Sequence, residues 1–475
     1  THIPPIPRKC QKNWKEVPVA DLRCDSYPPA VFVPSVCSPS DVAASASYHS
    51  RARALGLTWH HPHSGGVVVR SSQRNGKKTT PEQHKAETAM VAAVKGLIDP
   101  SNCVWEIDCR DYLAAVGNYV TGKGNFGNLK EVVSDAMAIT DTDTTGHAKM
   151  KYLYIGNIHT MRSSVMGVRK SVQEFGEEIE KGGIASSFEK FCLPAGASSA
   201  PITNWLGHVR LILSGAAFTA DRVEVGDAAC VHCSDGWDRT SQICALAALI
   251  LDPAARTIDG FLALVSRDWL DFGHMFRHRL AHGGPGSEDE VSPIFLQWLD
   301  AVAQVLIFNR DAFEFNEAFL VALADGVMGG LFPSFHFDCY NDRMDSLEHF
   351  GAKSTEDLLR PIYYWLGQAS FMAAPSTIQR LFVFGDGHVS KGGSAHGGKA
   401  EKMEKKEDKK KSKPFNLDSI LVEDYHGGIK GTGGKCNDDI DADFIVVDEE
   451  KSPNTEEDED GFVVLKGGIN IKVLV

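Results

Sequence analysis

The stretch Val231-His232-Cys233-Ser234-Asp235-Gly236-Trp237-Asp238-Arg239-Thr240-Ser241 closes the short apolar run Ala228–His232 and leads directly into the helical pattern Gln242–Leu251. Strand, tight loop and helix in that order make up the repeating unit of α/β proteins. Working outward, Ala30–Pro34, Gly66–Arg70, Val104–Asp108 and Lys151–Ile155 read as further strands, with longer helical patterns between and after them. Trp205–Glu224 places Leu206, Val209, Leu213, Ala216, Ala217 and Ala220 on one face, and Pro293–Phe308 and Ala318–Leu331 behave similarly. The fold expected is α/β, a central sheet flanked by helices. No repeat of fixed period occurs, which excludes solenoids and propellers.

The loop also carries chemistry. Attack on a phosphate ester needs a nucleophile, donors for the phosphoryl oxygens, and a means of keeping a thiol ionised. Successive backbone N–H groups above a helix N-terminus form an anion nest that would bind phosphate and favour the thiolate of Cys233. Gly236 permits the turn, and Arg239 supplies a two-pronged guanidinium. Of the eleven cysteines, Cys233 alone has Arg six positions on. A buried core cysteine beside an exposed arginine is the bland alternative, and the strand-to-helix setting argues against it. Cys230 and Cys233 also form a C-x-x-C; no second cysteine pair completes a zinc site, and a protective Cys230–Cys233 disulfide is a minor alternative. Trp237 either packs under the loop or lines the mouth of the pocket. Thr240 and Ser241 have hydroxyls that can donate to the thiolate.

The whole chain bounds the possibilities further. Its 475 residues, 43% hydrophobic, suffice for one large domain or two ordinary ones. With 49 Lys and Arg against 62 Asp and Glu the net charge is −13, so broad binding to nucleic acid is not expected, and an anionic ligand must be held locally. The apolar run that includes Cys244–Leu251 is far short of the ~20 residues of a membrane span. Thr1–Cys10 lacks the apolar core of a secretory signal, and a start at Thr1 is expected of a fragment or processed form. An odd number of scattered cysteines favours a reducing, cytoplasmic setting.

His232 to Thr240, H-C-S-D-G-W-D-R-T, closely resembles the active-site signature of the myotubularin family, cysteine-dependent phosphatases that remove the D3 phosphate of phosphoinositides. The resemblance extends to Leu57-Thr58-Trp59, Asn157-Ile158-His159 with Met161-Arg162, Trp205–Glu224, Trp269–His274, Ser292-Pro293 with Phe295-Leu296-Gln297, and Phe313–Glu317, covering roughly Cys24 to Trp365. It implies a protein tyrosine phosphatase-like fold, with Cys233 as the nucleophile of a phosphocysteine intermediate and Arg239 as the clamp on the phosphoryl oxygens. It implies Asp238 as general acid, with Asp235 the competing candidate. Arg239 should depress a neighbouring carboxyl while a bound phosphate should raise it. Ser234, Asp235, Gly236 and Trp237 would surround the substrate. Asn118, Asn157, Ile158 and Arg279 match headgroup contacts, although an Asn in a loop is also a common turn residue. Met275 stands where active relatives commonly have arginine, which bears on a second headgroup phosphate; Arg277 is a candidate to compensate. No metal or other cofactor is implied. The substrates implied are phosphatidylinositol 3-phosphate and the 3,5-bisphosphate, at cytoplasmic faces of endosomal or similar membranes with the protein bound peripherally, and homo- or hetero-oligomers with family members are expected. The family usually carries a lipid-binding domain ahead of the catalytic one, and the stretch before Cys24 is too short for it. The alternatives are a catalytically silent phosphoinositide-binding adaptor, which would normally lack the cysteine or arginine, and a protein tyrosine phosphatase.

Residues 1–384 are therefore expected to form the phosphatase domain, 385–434 a flexible Gly/Lys-rich linker and 435–475 an acidic tail. Glu401–Lys413 holds seven lysines against four acids, and Asn437–Asp460 twelve carboxylates against one lysine. The lysines would be drawn to an anionic membrane or simply solvate the linker. Asp443-Phe444-Ile445-Val446-Val447 and Asp460-Gly461-Phe462-Val463-Val464-Leu465 resemble short motifs that add a β-strand to ubiquitin-like autophagy modifiers.

Overall fold

The computed structural model describes residues 6–75, 80–110, 148–180, 201–282 and 288–354, together with Asp357 and the short strands Glu456–Glu457 and Val463–Val464. Strands β1 (Trp14–Pro18) and β2 (Ala30–Pro34) pair antiparallel. Helix α1 (Pro39–Tyr48) follows, started by Ser38 and Asp41 in a capping box. Strands β3 (Gly56–His60) and β4 (Val67–Ser72), helix α2 (Pro81–Lys95), and strands β5 (Val104–Asp108) and β6 (Lys149–Tyr152) come next. After helices α3 (Ile158–Glu180) and α4 (Pro201–Glu224), strand β7 (Ala228–Cys233) runs into helix α5 (Arg239–Leu251). The described chain continues through helices α6 (Ile258–Val265), α7 (Phe276–Leu280), α8 (Ile294–Phe308) and α9 (Glu317–Met328).

The main sheet has the order β3-β4-β7-β5-β6, with β3 antiparallel to β4 and the other neighbours parallel. β7 is the middle strand, and all six of its residues are buried because both faces of the sheet are covered. The pleat sorts its side chains. Ala229, Val231 and Cys233 join Val68 and Ile107 in a core shared with α4, α5 and α8. Ala228 and Cys230 join Val67, Val69 and Val104 in a second core under β1, β2 and α2. α5 is buried on every side from Arg239 to Ile250, as expected of a helix whose body from Ile243 onward is apolar all round. α4 lies close against it: a Cβ on Gly215 would stand 2.7 Å from Leu153 Cδ1 and 3.1 Å from Ile243 Cδ1.

The α/β fold with a central sheet and flanking helices is thus the one read from the sequence, with differences in detail. The strand expected at Lys151–Ile155 lies earlier, at Lys149–Tyr152, because Tyr154 takes φ +55° and turns the chain out of the sheet. On α4 Ile212 is buried, whereas Leu206 and Leu213 only flank the core, so the buried stripe is rotated by one residue. β3 gives no alternating pattern because all five of its residues are buried. Among the described residues no helix is long and apolar enough to cross a membrane. The boundary at 384, the linker, Asn118, Phe444 and Phe462 lie outside the described residues.

Candidate active site

β7 ends at Cys233 in the centre of the sheet, and the loop from Ser234 to Asp238 turns the chain through Gly236 into α5. Gly236 has φ +76°, and a Cβ there would stand 2.4 Å from the Ser71 carbonyl oxygen of β4. No other residue type fits without moving the loop.

Four carbonyls of this loop are engaged by other donors. Those of Ser234 and Asp238 accept from the amides of Gln73 and Gln242, at 3.0 and 3.1 Å. Gly236 accepts from Arg53 and from Arg70, each at 2.9 Å. Trp237 accepts from the Ser241 hydroxyl at 3.1 Å and lies 3.0 Å from His274 Nδ1. The Gly236 amide donates to Cys233 Sγ at 3.3 Å, and the amides of Ser234, Asp235, Trp237 and Asp238 have no acceptor among the described residues. A ring of unused N–H groups over the first turn of a helix is an anion-binding nest. Arg239, first residue of α5, donates to the Ile155 carbonyl at 3.2 Å and the Ser234 hydroxyl at 3.4 Å, which keeps its guanidinium beside the loop.

Asp238 is the most constrained acid here. Arg279 donates to both of its oxygens, at 3.1 and 2.9 Å, and His274 Nδ1 lies 3.1 Å away. Burial alone would push this carboxyl up; the Arg279 guanidinium and His274 outweigh it and hold the group well below the usual carboxylate range. The depressing cation is therefore Arg279, which also reaches Glu290, rather than the sequence neighbour Arg239. Asp235 accepts from the Ser50 hydroxyl at 2.7 Å and is half-buried. Trp237, also half-buried, has the guanidiniums of exposed Arg51 and buried Arg53 at 5.7 and 5.8 Å from its ring.

The remaining expected residues fall as follows. Asn157 is exposed, and its side-chain oxygen accepts from the Thr160 amide at 3.0 Å, capping α3. Ile158 flanks the main core, and its carbonyl accepts from Ser292. Because the Ile155 carbonyl holds Arg239, this turn is tied to the loop. Met275 is half-buried ahead of α7. Arg277 does not stand in for it: its guanidinium donates to the His336 carbonyl and faces the Phe337 ring, because two residues along a helix turn a side chain to another face. Ser241 does not donate to the thiolate either, since its hydroxyl goes to Trp237, while the Thr240 hydroxyl is buried without a partner. The Cys230–Cys233 disulfide is excluded. Three positions apart on one strand, the two thiols lie on opposite faces, in different cores.

Several residues that shape the site carry no local signal. Arg53 and Arg70, both fully buried, converge on the Gly236 carbonyl from the turn before β3 and from β4, respectively. Arg70 also donates to the Ser241 hydroxyl and pairs with Asp268. Behind Cys233, His232 lies 3.1 Å from Glu106, which pairs with Arg74, and Arg110 binds Asp108 and Gln73. Burial opposes the Glu106 charge, and Arg74 with His232 more than compensates. Among the described residues no group of three His, Cys, Asp or Glu side chains is placed to hold a metal ion.

A family model described as Myotubularin-like phosphatase domain matches residues 9–344. Myotubularin of Rattus norvegicus is 35% identical over 322 residues, covering 66% of this chain and 48% of that protein. The Xenopus tropicalis protein of the same name is 35% identical over 326 residues, 67% of this chain and 48% of its own length. Phosphatidylinositol-3,5-bisphosphate 3-phosphatase MTMR2 of Mus musculus is 33% identical over 365 residues, 72% of this chain and 50% of that protein. The chain spans about half the length of these curated relatives.

Proposed function

Because this chain belongs to the myotubularin phosphatase family, we propose that it is a phosphoinositide 3-phosphatase acting on phosphatidylinositol 3-phosphate and on the 3,5-bisphosphate through a phosphocysteine intermediate. The observation that carries this reading is the loop itself: a cysteine beside amides that have no acceptor among the described residues, with Arg239 next to it and the carbonyls of Ser234, Gly236, Trp237 and Asp238 held by other donors. The D3 phosphate enters that ring, and its oxygens take up the loop amides and the Arg239 fork. Cys233 attacks phosphorus in line with the departing inositol oxygen. Backbone donors and guanidinium are already in place where charge grows, so little reorganisation is needed in the transition state.

Asp238 serves both halves of the reaction. In the free protein it is a carboxylate, held so by Arg279 and His274. A phosphate dianion beside it raises its proton affinity, which lets it protonate the leaving inositol oxygen; as a carboxylate again, it takes a proton from the water that hydrolyses the phosphocysteine. Arg279 is a positioning residue in this scheme, fixing the carboxylate by two hydrogen bonds. The proposed setting is the cytoplasmic face of phosphoinositide-bearing membranes, with the protein attached peripherally. The Phe444 and Phe462 motifs are proposed contacts for an autophagy modifier, and assembly with like chains is a further proposal.

The deciding experiment measures phosphate release from vesicles containing each lipid, with the intact chain beside Cys233→Ser. Release that vanishes in the variant is expected. Equal release from both proteins, or faster turnover of a phosphotyrosine peptide than of either lipid, would overturn the reading.

A further inference from the structure

Cys233 is not the only sulfur on its side of the sheet. β5 and β7 run parallel, with Ile107 level with Val231 and Asp108 level with His232. The Cys109 amide continues this ladder by donating to the His232 carbonyl at 2.8 Å. The next residues in register are therefore Cys109 and Cys233. Side chains level with each other on neighbouring parallel strands share a face, and Ile107, Cys109, Val231 and Cys233 do all lie in the same core. Neighbouring strands stand about 4.8 Å apart, within the roughly 4.4–6.8 Å between Cα atoms that a disulfide spans. Both thiols are free, and Cys109 is fully buried.

We propose that Cys109 is the resolving thiol of a reversible oxidative modification of this site, closing a Cys109–Cys233 disulfide when the protein meets hydrogen peroxide. The Cys233 thiolate attacks one peroxide oxygen; the O–O bond breaks, and the expelled hydroxide takes up a proton to leave as water. The sulfenic acid on Cys233 is then attacked by the Cys109 sulfur. The S–S bond forms, the S–O bond breaks, and the departing hydroxide takes the Cys109 proton as a second water. The two thiols lose two electrons in all, the peroxide gains them, and a dithiol reductant reverses the change.

The surroundings of Cys109 favour this order of events. Burial pushes its thiol up, and a charge on Cys233 pushes it further, with Arg239 acting in the opposite direction. Oxidation of Cys233 to the uncharged sulfenic acid removes that repulsion, so Cys109 ionises more readily once its partner has reacted. Cys244 lies in the same core but on α5 rather than on a neighbouring strand, and burial pushes its thiol up to about 12. The disulfide removes the nucleophile while it lasts and keeps Cys233 from passing irreversibly to the sulfinic acid.

The inference rests on Cys233 being the reactive thiolate of the proposed phosphatase, and peptide mapping reads it independently of turnover. The intact chain is treated with hydrogen peroxide, quenched with an alkylating agent and digested without reductant. The Cys109 and Cys233 peptides are expected as one linked species, and dithiothreitol restores both free thiols together with phosphate release. Cys109→Ala is expected to match the parent before oxidation, then to lose recovery by reductant as Cys233 gains further oxygens. A link from Cys233 to Cys244 or Cys230, or no link at all, overturns the proposal, as does full recovery of Cys109→Ala. If Cys109→Ala does not fold, the mapping of the parent decides. A Cys109–Cys233 link in a chain that releases no phosphate would leave the redox site standing and remove the phosphatase reading; phosphate release without the link would do the reverse.

Discussion

Gly236→Ala tests the loop geometry most directly. The added Cβ would lie 2.4 Å from the Ser71 carbonyl oxygen, inside the 3.0 Å that real Cβ contacts keep, and the obstacle is backbone. Ser71 cannot retreat, because β4 is paired with β7 through Ser71–His232 and Ser72–Cys233. The loop must rise instead, drawing the Gly236 carbonyl from Arg53 and Arg70 and the Gly236 amide from Cys233. An alanine at φ +76° adds about 1–2 kcal/mol of backbone strain. Displacement of donors by about 1 Å costs on the order of 100-fold in rate, equivalent to about 2.7 kcal/mol of transition-state stabilisation. The assay is kcat on phosphatidylinositol 3-phosphate vesicles alongside the thermal midpoint. The expected result is a fall of about 100-fold in kcat with a midpoint lower by a few degrees. A kcat within about threefold of the parent, less than 1 kcal/mol, and with an unchanged midpoint would refute the requirement for glycine and the nest geometry together.

Arg279→Met leaves the Asp238 carboxylate buried with His274 alone, and loss of one partner of a buried pair costs about 3–5 kcal/mol, measured by denaturant unfolding. Because Asp238 titrates below its unfolded value, the stability it lends is fully present above the unfolded pKa of about 3.9 and is lost as pH falls through the lower folded value. In Arg279→Met that loss, and the acid limb of the kcat profile, should both move to higher pH. Arg70→Met removes donors to the Gly236 carbonyl and the Ser241 hydroxyl while Asp268 keeps Arg267 and Thr58, so a loss of about 1–3 kcal/mol is expected in denaturant unfolding. Asn157→Ala removes the α3 cap and should lower stability by about 1 kcal/mol. Asn157→Ser keeps a capping oxygen and so should preserve the thermal midpoint while raising KM if the amide also meets the headgroup. Met275→Arg should raise the rate on the 3,5-bisphosphate relative to the monophosphate, and an unchanged ratio would show that this position does not face a second phosphate.

What was legible was local. Cys233, Gly236 and Arg239 lie within seven consecutive residues, and a strand and a helix adjoining in the chain must adjoin in space. The turn that aims the thiol at the helix N-terminus follows from those residues alone. The helical period located α4, α8 and α9 to within a few residues, yet it could not place the buried stripe of α4, because Leu213 and Ile212 are equally apolar and tertiary packing buries Ile212. β3 stayed hidden because a strand buried on both faces loses the alternation that would mark it.

By itself, then, the sequence determined an α/β chain with a cysteine-and-arginine phosphate loop, and through its similarity to the myotubularin family a class of reaction. The tertiary structure alone decided what stands around that loop. Arg279 meets Asp238 across 41 residues, Arg53 and Arg70 meet the Gly236 carbonyl across 183 and 166, and Cys109 comes level with Cys233 by strand register. Such contacts leave no trace in a window of neighbours, because a buried guanidinium is tolerable only where several distant acceptors converge on it. Whether Asp238 is held charged, and which thiol the nucleophile can join, are set by that convergence.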